Sequence, residues 1–88
     1  MLFRSGARRI TARVSNPTAS IALAIRLKVL RNRSNDRVLP AMYEDNYFSL
    51  LPHEGKTVHI DFQDSVLAGQ TPRLVVEGWN IREENHSL

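Results

Sequence analysis

A run of alternating apolar residues between positions 21 and 29 constrains this chain more than any other feature. It reads Ile-Ala-Leu-Ala-Ile-Arg-Leu-Lys-Val, with a large aliphatic side chain at every odd position and with Arg26 and Lys28 between the last of them. Successive side chains of a β-strand point to opposite faces, so the odd positions share one face. A slip of one residue would bury the two cations. The pattern therefore predicts a strand with one buried face and a defined register.

Further segments predict other strands. Residues 10–14 and 58–62 alternate in the same way, and residues 73–77 are rich in β-branched side chains and end at Gly78. The short runs 38–39 and 47–50 complete roughly six strands, and Pro40 indicates a sheet edge or a bulge because proline has no N–H.

Turn-forming residues separate these runs, and no long helix is predicted. The turn segments are 16–18, 32–36, 52–55 and 69–72. The best helical candidate, residues 64–68, makes one short turn at most. The expected fold class is therefore all-β: an antiparallel β-sandwich of about six strands.

The length of 88 residues fits one domain, and the absence of cysteine excludes disulfides and thiolate metal sites. Residues 1–9 carry Arg4, Arg8 and Arg9 without the apolar run that a signal peptide or a membrane span needs. Neither feature predicts a cellular compartment, and no membrane partner is expected.

Charge is divided unevenly along the chain. Residues 1–37 hold nine Arg or Lys against one Asp, and residues 38–88 hold three against eight Asp or Glu. A basic segment can bind nucleic acid, and the candidate residues are Arg8, Arg9, Arg13, Arg26 and Lys28. These cations alternate with apolar residues instead of clustering, and few aromatic residues lie among them. Nucleic-acid binding is therefore the least favoured hypothesis.

No catalytic, metal or cofactor site is predicted. His53, His59 and His86 are far apart and lack a second ligand at zinc-site spacing, so solvated surface positions are expected for the first two. Side chains adjacent in a strand point to opposite faces, so Glu44 and Asp45 could not flank one bond as acid and base unless the backbone turns sharply there. The sequence also lacks serine-nucleophile and phosphate-binding glycine motifs.

Two segments together resemble a known family. Residues 38–54 read Val-Leu-Pro-Ala-Met-Tyr-Glu-Asp-Asn-Tyr-Phe-Ser-Leu-Leu-Pro-His-Glu, and residues 76–80 read Val-Glu-Gly-Trp-Asn. They are similar to the C-terminal Ig-like domain of glycoside hydrolase family 2 enzymes of the exo-β-D-glucosaminidase, β-mannosidase and mannosylglycoprotein endo-β-mannosidase type. The residues at motif positions are Asp45, Asn46, Tyr47, Pro52, Glu54, Gly78, Trp79 and Asn80. Two positions depart from the motif: Glu44 replaces a usual Ser, and His53 replaces the Gly of a Pro-Gly-Glu turn.

The resemblance implies an accessory domain with the fold of an antiparallel immunoglobulin-like β-sandwich of about six to seven strands, with truncation at its N-terminus left open. In that family the catalytic glutamates lie on a separate barrel, so no catalytic residue is carried over to this chain, and the implied partners are the catalytic and other domains of the parent hydrolase. The implied parent enzyme is compatible with a periplasmic or extracellular location. We expect residues 1–8 to be a non-native or disordered leader, residues 9–81 the sandwich, and residues 82–88 a flexible tail.

The roles expected for the motif residues are structural. Asp45 and Asn46 would hold a corner through backbone hydrogen bonds. Trp79, Tyr43, Tyr47 and Phe48 are expected to pack in the core or against a neighbouring domain. The alternative is a free-standing carbohydrate-binding module in which Trp79 or Tyr43 stacks on a sugar, which requires exposed aromatic rings.

Overall fold

A computed structural model describes residues 7–88, which form seven β-strands and one 3-10 turn. The strands are β1 (Ala7–Ser15), β2 (Ala22–Arg31), β3 (Ala41–Tyr43), β4 (Phe48–Leu50), β5 (Gly55–Gln63), β6 (Pro72–Gly78) and β7 (Ile81–Ser87). The 3-10 turn spans Asp64–Leu67, between β5 and β6.

The strands form two antiparallel sheets. The three-stranded sheet has the order β1-β5-β3, and the four-stranded sheet has the order β4-β2-β6-β7. The longest ladder pairs all nine residues of β1 with β5, from Ala7 opposite Gln63 to Ser15 opposite Gly55. The predicted all-β sandwich is confirmed.

The core lies between the inner faces of the sheets. Its members are buried aliphatic and aromatic side chains contributed by both sheets and by the connections: Ala12, Leu27, Val29, Val38, Val58, Ile60, Phe62, Leu67 and Leu74. A smaller cluster of Ala22, Ile25 and Leu50 lies where β2 pairs with β4. Fully burying one Val, Leu or Ile side chain stabilises a fold by about 1.5–3 kcal/mol, so these clusters are the main stabilising element.

The first half of β2 departs from the predicted alternation. Ile25, Leu27 and Val29 are buried as expected, but Ile21 is exposed and Ala22 is buried instead. The register of β2 against β4 shifts between Ala22 and Ile25, and Ala24 has a φ of +50°. This irregularity has the features of a β-bulge, which reverses the face that the residues before it present.

Two other segments differ from their predicted boundaries. Val38 is buried but belongs to no strand, and the chain enters β3 only after a cis peptide bond between Leu39 and Pro40. Residues 82–88, expected to be a flexible tail, lie mostly in β7, which pairs with β6 from Gly78–Ile81 to Arg73–Ser87. Backbone hydrogen bonds hold this strand in the sheet, and because its residues are almost all polar, its sequence shows no alternation of apolar and polar residues.

The leader expected at residues 1–8 is in part strand. Ala7 and Arg8 already lie in β1, opposite Gln63 and Phe62. Residues 1–6 lie outside the described residues.

Ion pairs connect the basic and acidic halves of the chain. Arg8 contacts Asp64 at 2.6 Å, and Arg9 contacts Asp61 through two hydrogen bonds of 2.7 and 2.9 Å. On the other sheet, the Glu77 carboxylate lies 3.5 Å from both Arg26 and Lys28. Basic residues of the first half of the sequence thus pair with acidic residues of the second half.

The described residues contain no helix with the length and apolar character that a membrane crossing requires.

Candidate interaction surface

The Asp45-Asn46-Tyr47 segment forms a corner between β3 and β4. The Asp45 Oδ1 atom accepts a hydrogen bond of 2.8 Å from the Asn46 N–H, and its Oδ2 atom accepts one from the Lys56 ammonium group on β5. The hydrogen bond from Lys56, followed by that from the Asn46 backbone, lowers the pKa of Asp45 below its ordinary value. The carboxylate therefore fixes the corner against the three-stranded sheet.

Asn46 forms hydrogen bonds with β2 just beyond the last pair of the β2–β4 ladder. Its Oδ1 atom accepts a bond of 2.7 Å from the Leu27 N–H, and its Nδ2 atom donates one of 3.1 Å to the Leu27 carbonyl. The last pair of the β2–β4 ladder is Ile25 with Phe48, so Leu27 is the next position that needs a partner. Two residues further, the Tyr43 hydroxyl accepts a bond of 2.9 Å from the Val29 N–H. Side chains thus replace the missing length of β4.

Tyr47 points into solvent. Its φ is +56°, a left-handed conformation that is uncommon for residues other than glycine, and its side chain is 65% exposed. The Arg26 guanidinium lies 5.6 Å from the centre of its ring, within cation–π range, and is also paired with Glu77. The aromatic ring is therefore held on the edge of the four-stranded sheet by a residue that is itself anchored.

The Gly78-Trp79-Asn80 segment forms the turn between β6 and β7. The Trp79 N–H donates to the Leu23 carbonyl at 3.0 Å, while Asn80 accepts from the Leu23 N–H at 2.8 Å and donates to the Ile21 carbonyl at 2.7 Å. A Cβ atom on Gly78 would lie 2.9 Å from the Ile81 side chain and 3.1 Å from the Leu23 carbonyl, which explains a glycine here. The Trp79 side chain is 86% exposed.

Pro52 and Glu54 shape the turn between β4 and β5. The Glu54 N–H donates to the Leu51 carbonyl at 3.0 Å, and the Glu54 carboxylate accepts from the Leu51 N–H at 3.0 Å. His53 occupies the third position with a φ of +61°. A proline followed by a residue with positive φ is the arrangement of a type II turn, in which glycine is preferred at the third position.

Of the four aromatic residues expected to pack in the core or against a neighbouring domain, two pack in the core of this chain and two do not. Tyr43 and Phe48 are partly buried and pack against the main core, but Tyr47 and Trp79 are largely exposed. Two signals in the sequence could have indicated this. Tyr47 follows the turn-forming Asp-Asn pair, and Trp79 lies between Gly78 and Asn80, where turn chemistry favours exposure.

Tyr47 and Trp79 flank the same strand. Tyr47 lies on the β4 side of β2 and Trp79 on its β6 side, and the Arg26–Glu77 pair joins the two sides across the β2–β6 ladder. β4, β2 and β6 are neighbours in one sheet with a spacing of about 4.8 Å between strands, so Tyr47 and Trp79 adjoin segments on either side of β2. We call these four residues, Tyr47, Trp79, Arg26 and Glu77, the aromatic patch.

Glu44 and Asp45 contact different basic side chains. The Glu44 Oε2 atom lies 3.2 Å from the His59 Nδ1 atom. Hydrogen bonds from the His59 side chain and then from its backbone lower the pKa of Glu44. Asp45 contacts Lys56 instead. His53 is exposed in its turn, and His59 is half-buried on the outer face of β5. Within residues 7–88, no group of three or more His, Cys, Asp or Glu side chains could hold a metal ion.

Comparison with known proteins identifies the family. A family model described as the exo-β-D-glucosaminidase Ig-fold domain matches residues 3–81. The chain is 48% identical over 52 residues to a mannosylglycoprotein endo-β-mannosidase of Lilium longiflorum, covering 59% of this chain and 5% of that protein. It is 36% identical over 80 residues to an exo-β-D-glucosaminidase of Arthroderma benhamiae, covering 86% of this chain and 8% of that protein.

A solved structure shows the same relationship. The fold is similar to part of the exo-chitosanase CsxA of Amycolatopsis orientalis, with a TM-score of 0.89 and 25% identity over 98% of this chain and 10% of the CsxA chain. The chain thus spans less than a tenth of the length of the two curated relatives described above. It belongs to the Ig-fold domain family of exo-β-D-glucosaminidases, among the glycoside hydrolases that its sequence motifs resemble.

Proposed function

We propose that this chain is a non-catalytic accessory domain that packs on and supports the catalytic barrel of a family 2 glycoside hydrolase. The observation that carries the proposal is the alignment of nearly the whole chain with one-tenth of the exo-chitosanase chain. A module of this kind makes up a small part of a hydrolase whose remaining length is available for the reaction. Its contribution to hydrolysis is then structural.

The arrangement of its carboxylates supports the non-catalytic part of the proposal. Glycoside hydrolysis by acid and base requires two carboxyl groups facing one bond, commonly about 5–9.5 Å apart. Glu44 and Asp45 are adjacent in sequence, but Glu44 contacts His59 and Asp45 contacts Lys56. Each carboxylate is therefore engaged with a different basic side chain, and the two do not face a common substrate bond. We expect the purified chain to release no p-nitrophenol from p-nitrophenyl β-D-glucosaminide or β-D-mannoside. Turnover that persists through further purification would contradict this.

The supporting role is tested in a chimera. The Ig-fold domain of the exo-chitosanase CsxA is deleted in one variant and replaced by the full 88-residue chain in another. We expect deletion to lower the melting temperature and the activity of the enzyme, and replacement to restore part of both. A chimera no more stable than the deleted enzyme would refute the supporting role.

A carbohydrate-binding module is the second candidate, because Trp79 and Tyr47 expose aromatic rings of the kind that stack on sugars. It predicts measurable affinity for manno- or glucosamine oligosaccharides and its loss in Trp79→Ala. Isothermal titration of the isolated chain that gives no binding heat would remove this candidate.

Nucleic-acid binding receives no support from the ion pairs. Four of the five candidate cations, Arg8, Arg9, Arg26 and Lys28, each lie beside a carboxylate of this chain. The fifth, Arg13, donates to the Thr57 hydroxyl at 3.4 Å. We therefore expect no salt-dependent affinity for DNA or RNA.

A further inference from the structure

We propose that the aromatic patch is the face by which this domain docks on the protein surface of its parent hydrolase, an inference that rests on the proposed function. Tyr47 and Trp79 are the two exposed aromatic residues flanking β2, and they are 65% and 86% exposed. Large exposed apolar surfaces on a small domain mark interaction sites. Tyr, Trp and Arg are the residue types that dominate protein–protein binding energy.

The local structure holds both aromatics outward. Both ends of the Asn46 carboxamide, next to Tyr47, bond to Leu27. Both ends of the Asn80 carboxamide, next to Trp79, bond to Ile21 and Leu23 at the start of β2. Each exposed ring is therefore next to a residue fixed to the same strand. Tyr47 also adopts a positive φ, a conformation retained only where the surroundings impose it. The backbone that carries each ring is therefore held in place before binding, which lowers the entropic cost of binding.

The polar groups around the patch favour a protein over a sugar as its occupant. A sugar site needs side-chain donors and acceptors free to bond hydroxyl groups. The carboxamides of Asn46 and Asn80 are engaged with backbone groups, and Glu77 is shared by Arg26 and Lys28. The groups that remain available are the two aromatic rings, the Arg26 guanidinium beside the Tyr47 ring, and the indole N–H of Trp79. A protein surface with an apolar depression and a carbonyl acceptor fits this combination.

The occupant is argued from the relatives. In the exo-chitosanase, nine-tenths of the chain lies outside the region similar to this domain, so another surface of the same polypeptide is always at high effective concentration. A second copy of this chain is the competing occupant. It would make the isolated chain self-associate through the same residues.

The test uses the chimera described above with two matched pairs of substitutions. Tyr47→Ala with Trp79→Ala removes the rings of the aromatic patch. Leu39→Ala with Met42→Ala is the control, because these side chains are 60% and 75% exposed but lie at β3, on the other sheet. We expect the first pair to abolish at least half of the gain in melting temperature that the domain provides, and the control pair to retain it.

The outcomes separate the two proposals. If both pairs retain the gain, the domain supports the enzyme through another face, and the docking inference is refuted while the supporting role stands. If the unmodified chimera shows no gain, the supporting role is refuted. Tyr47→Phe with Trp79→Phe keeps ring area, so it should retain most of the gain; loss equal to that of the alanine pair, with the module still resistant to proteolysis, would contradict the inference. Concentration-dependent dimerisation of the isolated chain that Trp79→Ala removes would assign the patch to a second copy.

Discussion

Replacing His53 by glycine is expected to stabilise this domain. The turn at residues 51–54 places Pro52 second and His53 third, with the Glu54 N–H bonded to the Leu51 carbonyl at 3.0 Å. The φ of His53 is +61°, where the Cβ atom of an L-residue approaches the following carbonyl oxygen. The imidazole is exposed and contributes no core packing. Glycine removes the steric conflict and leaves the turn unchanged.

The magnitude follows from two opposing contributions. A left-handed backbone costs a residue with a Cβ atom about 1–2 kcal/mol. Glycine loses more conformational freedom on folding, which costs about 0.5–1 kcal/mol. The difference leaves a net gain of roughly 0.5–1 kcal/mol in the free energy of unfolding. At about 4–8 °C per kcal/mol for a domain of this size, the melting temperature should rise by roughly 2–8 °C.

Circular dichroism during thermal and urea unfolding measures this change, and His53→Ala is the control. Alanine removes the imidazole but keeps the Cβ atom, so its stability should remain within about 0.5 kcal/mol of the parent chain. The reasoning is refuted if His53→Ala gains as much as His53→Gly, because the benefit would then come from losing the imidazole. A loss of stability in His53→Gly would refute it as well.

Three further substitutions test the core, the corner and the pH dependence. Val38→Ala should lower the free energy of unfolding by about 2–3 kcal/mol in urea titrations, because the side chain is fully buried, whereas Leu39→Ala beside it should change stability by less than about 0.5 kcal/mol. Asn46→Ala leaves a backbone N–H and carbonyl of β2 without their partner and should cost about 1–3 kcal/mol in the same assay. The folded-state pKa of Asp45 is lowered, so its contribution is present above the unfolded value of about 3.9 and is lost as the pH falls through the folded value. Thermal unfolding from pH 7 to pH 2.5 should therefore show a weaker acid dependence in Asp45→Asn, and an unchanged dependence would exclude the Lys56 contact as its cause.

Alternation predicted the long strands because each buries one face, and it failed where that signal is absent. Residues 21–25 are all apolar, so nothing in them fixes which face is buried; the phase is set only from Arg26 onward. The β-bulge at Ala24 lies within this all-apolar segment. Strand β7 has the opposite problem, since its residues are almost all polar and only backbone pairing with β6 reveals it. Both failures arise because the deciding interaction is made with a distant strand.

The motif residues show why type alone does not separate a structural residue from a surface for binding. Asn46 and Asn80 are polar and yet brace β2, while Tyr47 and Trp79 are aromatic and yet face solvent. An exposed indole gains little from folding, so we expect the stability of this domain to depend little on Trp79 and to depend on the bonds of Asn46. The two kinds of residue should therefore separate by assay: substitution at Asn46 lowers the stability of the isolated domain, and substitution at Trp79 matters only when a partner surface is present.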